Sequence, residues 1–244
     1  MSVNNIALHL IGKKYDDTLI LVNDIQLSAT NEIVNTQTKS GGIFNITEEI
    51  AGIVPTYSSI GKKSAIIINE LKHSRRTSLV KNIKSIDNER KDKHRLAQNL
   101  AKKYNWTHIA YLDDINLDIL KAIDGNTSAD FCTTKNRDKY SDIMQKCTLI
   151  FDSRERKHLY ENLDTDTVII LHDPNGCEAI FKGVKVIEYS SPPPMSGLSV
   201  NGAGDIFAAV FIREFITHNL KNAILTSCEI TTSLLKEKTK NEKV

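Results

Sequence analysis

Near its C-terminus the chain reads Asn201-Gly202-Ala203-Gly204-Asp205-Ile206-Phe207, and an apolar run follows. Two glycines and an alanine make a bend with almost no side chain, which lets a ligand approach the backbone closely. A helix starting there leaves the amides of its first turn without intrahelical partners. The helix dipole adds partial positive charge at the same end. Together these make an anion site suited to phosphate. Asp205 stands beside it, where a carboxylate can take the proton of an attacking hydroxyl. A phosphate cradle next to a base is the minimum equipment for phosphoryl transfer to an alcohol. An aspartate in a first helical turn is also ordinary capping chemistry. The chain has no G-x-x-x-x-G-K-[ST], and Phe207 stands where a dinucleotide fingerprint needs its third glycine.

Other polar residues fall where an α/β sheet would present them. Gly12 ends the apolar run 6–11, and Asp17 follows five residues on, with Asp16 an equal candidate if the register slips by one. Ser40-Gly41-Gly42-Ile43-Phe44-Asn45 precedes a run read as helical over 45–53. Asp130, Asp152, Glu155 and Asp173 follow apolar runs, and carboxylates at strand ends can hold Mg²⁺ largely through water.

The elements that must position these residues are read from short apolar runs and periodicity. Strands are expected at 6–11, 18–22, 64–68, 109–112 (with Asp113 and Asp114 at its end), 129–132, 148–151, 167–171 and 186–189. Helices are expected around 89–104, 117–123, 140–147 and 159–163, then after the glycine turn and over 221–236. The Lys- and Glu-rich tail beyond 236 is expected to fray. Strands alternating with helices specify a doubly wound, mostly parallel sheet in three α/β/α layers. Phe207, Val210, Phe211 and Phe215 recur at helical spacing and read as core.

Composition narrows the class. The 244 residues suit a single domain, 1–244, with 40% hydrophobic and 25% charged residues. A net charge of +2 does not argue for nucleic acid. The basic stretch 72–103 lacks interleaved aromatics and reads as solvated surface. Cys132, Cys147, Cys177 and Cys228 are widely spaced, which fits reduced thiols rather than zinc or disulfides. No signal peptide or membrane span is apparent, so a cytoplasmic location is expected.

Gly202-Ala203-Gly204-Asp205-Ile206-Phe207 resembles the G-A-G-D-x-F signature of the ribokinase-like (PfkB-type) carbohydrate and nucleoside kinases. The resemblance implies Asp205 as catalytic base, and Gly202, Ala203 and Gly204 as the anion hole. It implies that Asp17, Gly41, Gly42 and Asn45 bind the acceptor, the last three within a sequence similar to the family's G-G-x-x-x-N. Asp152-Ser153-Arg154-Glu155 is similar to N-x-x-E, which implies Glu155 for Mg²⁺ and Asp152 near the nucleotide. Gly176 matches the last glycine of T-x-G-x-x-G, whereas Leu171 and Asp173 depart from it. Ser199 and Val200 replace the family's usual Asp-Thr near a monovalent-cation site. The chain is shorter than typical members, so a reduced lid is expected within 18–40 and 55–95. ATP and Mg²⁺ are the implied cofactors, a small-molecule hydroxyl the acceptor, and a homodimer is compatible. The alternative is a non-catalytic small-molecule or nucleotide-binding protein on the same fold.

Overall fold

In a computed structural model of the chain, the described residues are 6–46, 53–80, 104, 106–110, 112, 126–131, 138–190 and 197–242. The expected helices over 89–104 and 117–123 fall outside them, apart from Tyr104, as do Asp113, Asp114 and Cys132.

Ten strands form one sheet. They are β1 (Ile6–Val22), β2 (Ile33–Gly42), β3 (Ile53–Glu70), β4 (Arg75–Val80), β5 (Trp106–Ile109), β6 (Asn126–Asp130), β7 (Leu149–Ser153), β8 (Val168–Asp173), β9 (Gly176–Phe181) and β10 (Val184–Ser190). The spatial order is β10-β9-β8-β7-β6-β5-β1-β3-β4, with β2 on β1. The pairs from β3 through β1, β5, β6 and β7 to β8 are parallel, and β2, β4, β9 and β10 join antiparallel. The chain runs from β1 to β3 on one side and through β5 to β8 on the other. Next to β1 lies the switch in direction, where doubly wound sheets bind ligands at the strand C-terminal ends.

Strand alternation sorts the core into two layers. Leu149, Phe151 and Ile170 face α2 (Ala203–Thr217) and α3 (Leu220–Glu242). Ile150, Ile169 and Leu171 face Tyr140, Ile143, Met144 and Tyr160, in and around the short α1 (Ser141–Met144). Burial on both faces explains why these strands read as near-continuous apolar runs. The Phe spacing in α2 is core packing, with Phe211 5.5 Å and Phe207 6.3 Å from the Phe151 ring.

Several boundaries differ from expectation. The 6–11 and 18–22 runs are one strand, with a register shift between Gly12 and Lys13 where its pairing to β3 slips. Lys13 to Asp17 are strand residues because β2 and β3 flank them, not a turn. Ile53 begins β3, and of the 45–53 helix only the 3-10 turn Ile43–Asn45 and Ile46 are described. The 159–163 helix is displaced to a 3-10 helix at Arg154–Leu159. The tail is not frayed: α3 continues to Glu242, which is buried.

Beyond Gly12, the outer parts of β1 and β3 with β2 and β4 make a four-stranded extension over the sheet's C-terminal edge. This is the region expected to hold a reduced lid. Leu19, Leu21, Ala65, Ile67 and Leu71 form its own small core. Segment 197–201 runs beneath it, with Gly197 N–H donating to the Leu71 carbonyl and Asn69 Nδ2 donating to Ser199 Oγ at 2.9 Å.

Candidate active site

The glycine turn has the expected form. Gly202 is left-handed, φ 74°, and caps α2. A side chain there would be strained, and its Cβ would lie 3.1 Å from Asn45 Cγ. Ala203 N–H donates to the Val200 carbonyl at 3.1 Å, and Ile206 N–H to the Gly202 carbonyl at 3.0 Å. The Ala203 amide therefore closes the turn. The amides of Gly204 and Asp205 lie within the first helical turn, where helix geometry supplies no intrahelical acceptor. Asp205 is 3% exposed, and its Oδ2 accepts from Asn45 Nδ2 at 2.8 Å. Two residues 160 positions apart in sequence thus meet at the helix N-terminus.

Asp17 comes from the lid. It pairs with Lys39 in the β1–β2 register, and its carboxylate lies so close to Gly41 that any Cβ there would overlap it. Gly42 takes φ 66°, and the 3-10 turn after it delivers Asn45. Asp17 is 3% exposed, and among the described residues its Oδ1 has no hydrogen-bond partner. A buried carboxylate oxygen in that condition calls for a donor, and a substrate hydroxyl is one. Burial pushes the Asp17 pKa up, Lys39, Arg76 and Lys238 pull it down, and Asp16 raises it. Asp16 itself is half-buried and 3.9 Å from Lys14. Between the two candidates, Asp17 is the one that points inward.

A cavity of about 250 Å³ opens on the other side of the turn. His172, Pro174, Val200, Gly204, Phe207 and Cys228 are among its lining residues. Gly204 keeps it open, since a Cβ would stand 3.6 Å from His172 Cε1 and a larger side chain would enter it. A mostly apolar cleft abutting an anion-binding turn suits a nucleotide's base and phosphates. The β8–β9 connection is a tight hairpin, with Asp173 opposite Gly176 and Asn175 N–H donating to Asp173 Oδ1 at 2.7 Å. Gly176 is buried behind it and does not line the cavity; Asp173 does.

The β7 carboxylates divide. Asp152 is fully buried, with Oδ2 accepting from Tyr160 Oη at 2.5 Å, Oδ1 from Ser153 N–H at 2.7 Å, and Arg156 3.5 Å away. Glu155 is exposed at the start of the 3-10 helix. An exposed carboxylate at a strand end suits Mg²⁺, which keeps several waters and uses few protein ligands.

Three residues around the turn have no role assigned from the sequence. His172 lies 4.6 Å from the Phe207 ring, and burial lowers its pKa to about 4 against the pull of Asp173, so it is neutral at neutral pH. Arg76, in β4, donates to Asn201 Oδ1 at 3.5 Å. Lys238, in the last turn of α3, donates to the Asn201 carbonyl. The inward positions Ile224, Cys228, Thr231, Leu235, Thr239 and Glu242 keep helical spacing to the end, but the last two are polar and give no apolar signal.

No family model and no curated protein matches the chain by sequence. Solved structures do match in shape. A possible 1-phosphofructokinase from Thermotoga maritima shares 13% identity at a TM-score of 0.74, covering 97% of both chains. A nucleoside kinase of the ribokinase family from Methanocaldococcus jannaschii shares 13% at 0.62, also covering 97% of both. Ribokinase from Cryptococcus neoformans, in complex with ADP, shares 11% at 0.64, covering 93% of both.

Proposed function

We propose that this chain, whose fold is that of the ribokinase-like kinases, is a phosphotransferase that moves the γ-phosphate of ATP to a hydroxyl of a small molecule. The observation that carries the reading is the contact of Asn45 with Asp205 at the N-terminus of α2. It joins the acceptor side to the base at the spot where backbone geometry favours phosphate. Asp17, with its unsatisfied Oδ1, and Asn45 orient the hydroxyl. Asn45 also fixes the rotation of the Asp205 carboxylate. Asp205 takes the hydroxyl proton as the oxygen bonds to the γ-phosphorus and the bond to the β-phosphate oxygen breaks. The first-turn amides of Gly204 and Asp205 face the charge developing on the transferred group, and such preorganised electrostatics usually dominate phosphoryl transfer. Mg²⁺ would add charge neutralisation, with Glu155 as its protein ligand; Asp152, committed to Tyr160 and Arg156, holds the strand end in place. The ADP complex of a shape-related ribokinase supports a nucleotide as co-substrate. Ile66 and Leu79, an exposed cross-strand pair on the lid, offer a surface for a homodimer.

The test joins binding to turnover. Mg-ATP should raise the melting temperature of the wild type saturably, by mass action. Gly204→Val should lose that shift while still folding, because its Cβ meets only ordinary contact. Asp205→Asn should keep the shift and lose about 10²–10⁴-fold in kcat. No wild-type shift at millimolar nucleotide overturns the reading. A shift without turnover on sugars, sugar phosphates or nucleosides makes the chain a binding protein.

A further inference from the structure

The last turn of α3 reaches into the site from a region that looks like solvated tail. Lys238 donates to the carbonyl of Asn201, the residue before Gly202. The next residue, Thr239, accepts through Oγ1 from Ser199 N–H at 2.8 Å. The same turn grips the lid: Glu242 Oε1 lies 2.5 Å from Lys39 Nζ, and its carbonyl accepts from Asn35 Nδ2 at 2.7 Å. The peptide unit is planar and trans, so its C=O and N–H point in opposite directions. Holding the Asn201 carbonyl therefore aims the Gly202 amide away from Lys238 and sets the entry to the anion turn. The charged groups around the ammonium are Lys39 of β2, Asp17 of β1, Arg76 of β4 through Asn201, Asp205 of α2 and Glu242 of α3.

We propose that Lys238 is a positioning residue for phosphoryl transfer: it orients the Asn201–Gly202 peptide at the entry to the anion turn and brings a positive charge to that end of the site. The inference rests on the phosphotransferase reading above. Apolar replacement of a whole buried ion pair is often neutral or stabilising, whereas removing one partner alone leaves the others uncompensated and costs stability. Loss of melting temperature therefore does not separate a positioning role from a structural one, and the pH profile and the split between ADP affinity and kcat do. Burial, the first cause, and then Lys39 lower the Lys238 pKa to about 8, against the pull of Glu242 and Asp205. The ammonium is charged below that value and loses its charge as pH rises through it, so its contribution disappears on the alkaline side.

The experiment compares wild type, Lys238→Met and Lys238→Arg as full chains, using Mg-ATP with ribose, fructose, fructose 1-phosphate and adenosine as acceptors. ADP affinity by calorimetry and melting temperature are measured alongside. We expect Lys238→Met to remain folded at the assay temperature and to bind ADP within about threefold, while kcat falls about 10²-fold, the scale of one lost electrostatic contact in a preorganised site. Lys238→Arg should retain most of kcat. The wild-type kcat should fall above about pH 8, and this limb should move upward in Lys238→Arg because arginine stays protonated. An unchanged kcat in Lys238→Met, an equal loss of kcat and melting temperature in both variants, or an alkaline limb that stays put in Lys238→Arg overturns the proposal while leaving the phosphotransferase reading intact. Absence of turnover in the wild type removes that reading, and the role of Lys238 with it. The two failures appear in different samples.

Discussion

At the scale of single residues, the site depends on what is missing from its glycines. Gly41 is the clearest case. It lies in extended strand opposite Tyr15, so nothing in its backbone demands glycine. The demand comes from Asp17, whose carboxylate occupies the space of a Cβ. Gly41→Ala should therefore push the Asp17 carboxylate out of place while β2 still forms. Acceptor KM should rise by roughly tenfold or more, the equivalent of one lost hydrogen bond to a charged group, with nucleotide affinity unchanged. Steady-state kinetics at saturating Mg-ATP checks this, and an unaltered acceptor KM would remove Asp17 from acceptor binding. Gly202 differs in kind, because it needs its left-handed φ as well as room for Asn45. Both kinds of glycine look alike in a sequence. The turn at Gly202 was legible because its chemistry lies within six consecutive residues. His172 and Lys238 were not, because neither has a local partner: one meets Phe207 and the other Asn201 only after the chain has folded.

At the scale of elements, α3 ties the four-stranded extension to the glycine turn before α2. Lys39, Asn35, Ser199 and Asn201 all meet its last turn. Removing residues 238–244 should leave the core helix, anchored by Ala223, Ile224, Cys228 and Leu235, in place. It should release β2, whose amides would then exchange with deuterium roughly tenfold faster or more, about 1.4 kcal/mol of local opening. Unchanged protection of 34–40 would mean that the lid is held by β1 alone. The same element shows how far periodicity reaches. The buried strands β7 and β8 were readable because both faces are apolar, and α2 because of its phenylalanines. The tail of α3 was not, since its inward positions are Thr239 and Glu242, polar residues that pack only against a lid made elsewhere in the chain. For the same reason β1 looked like two strands. Lys13 to Asp17 have no strand signal of their own, and β2 and β3 on either side make them one.

At the scale of the whole molecule, three histidines set its response to acid: His172 beside the cavity and two in the middle of the sheet. His9 of β1 sits at the middle of the sheet with its Nδ1 3.3 Å from Thr107 Oγ1, and His108 of β5 with its Nδ1 2.8 Å from Ser128 Oγ. Both are essentially inaccessible, and burial lowers each pKa from 6.5 to about 4. Between these values the unfolded chain binds protons that the fold refuses. Stability therefore falls as pH drops from about 6.5 to about 4, and it is level above 6.5 as far as these groups are concerned. Each contributes on the order of 3 kcal/mol across that window, a large share of the roughly 5–15 kcal/mol that holds a domain together. Asp17 works in the opposite sense. Its raised pKa means that the fold holds a proton more tightly than the unfolded chain, which returns some stability as the pH falls. With three histidines against one aspartate, the net slope is set by the histidines. Urea midpoints should decline steadily from pH 6.5 to 4.5, and His108→Gln, which cannot be charged, should remove about a third of the decline. A flat midpoint over that range would show that the histidines are protonated within the fold, and with them the packing of β1 against β5 at the switch point beneath the site would need to be redrawn.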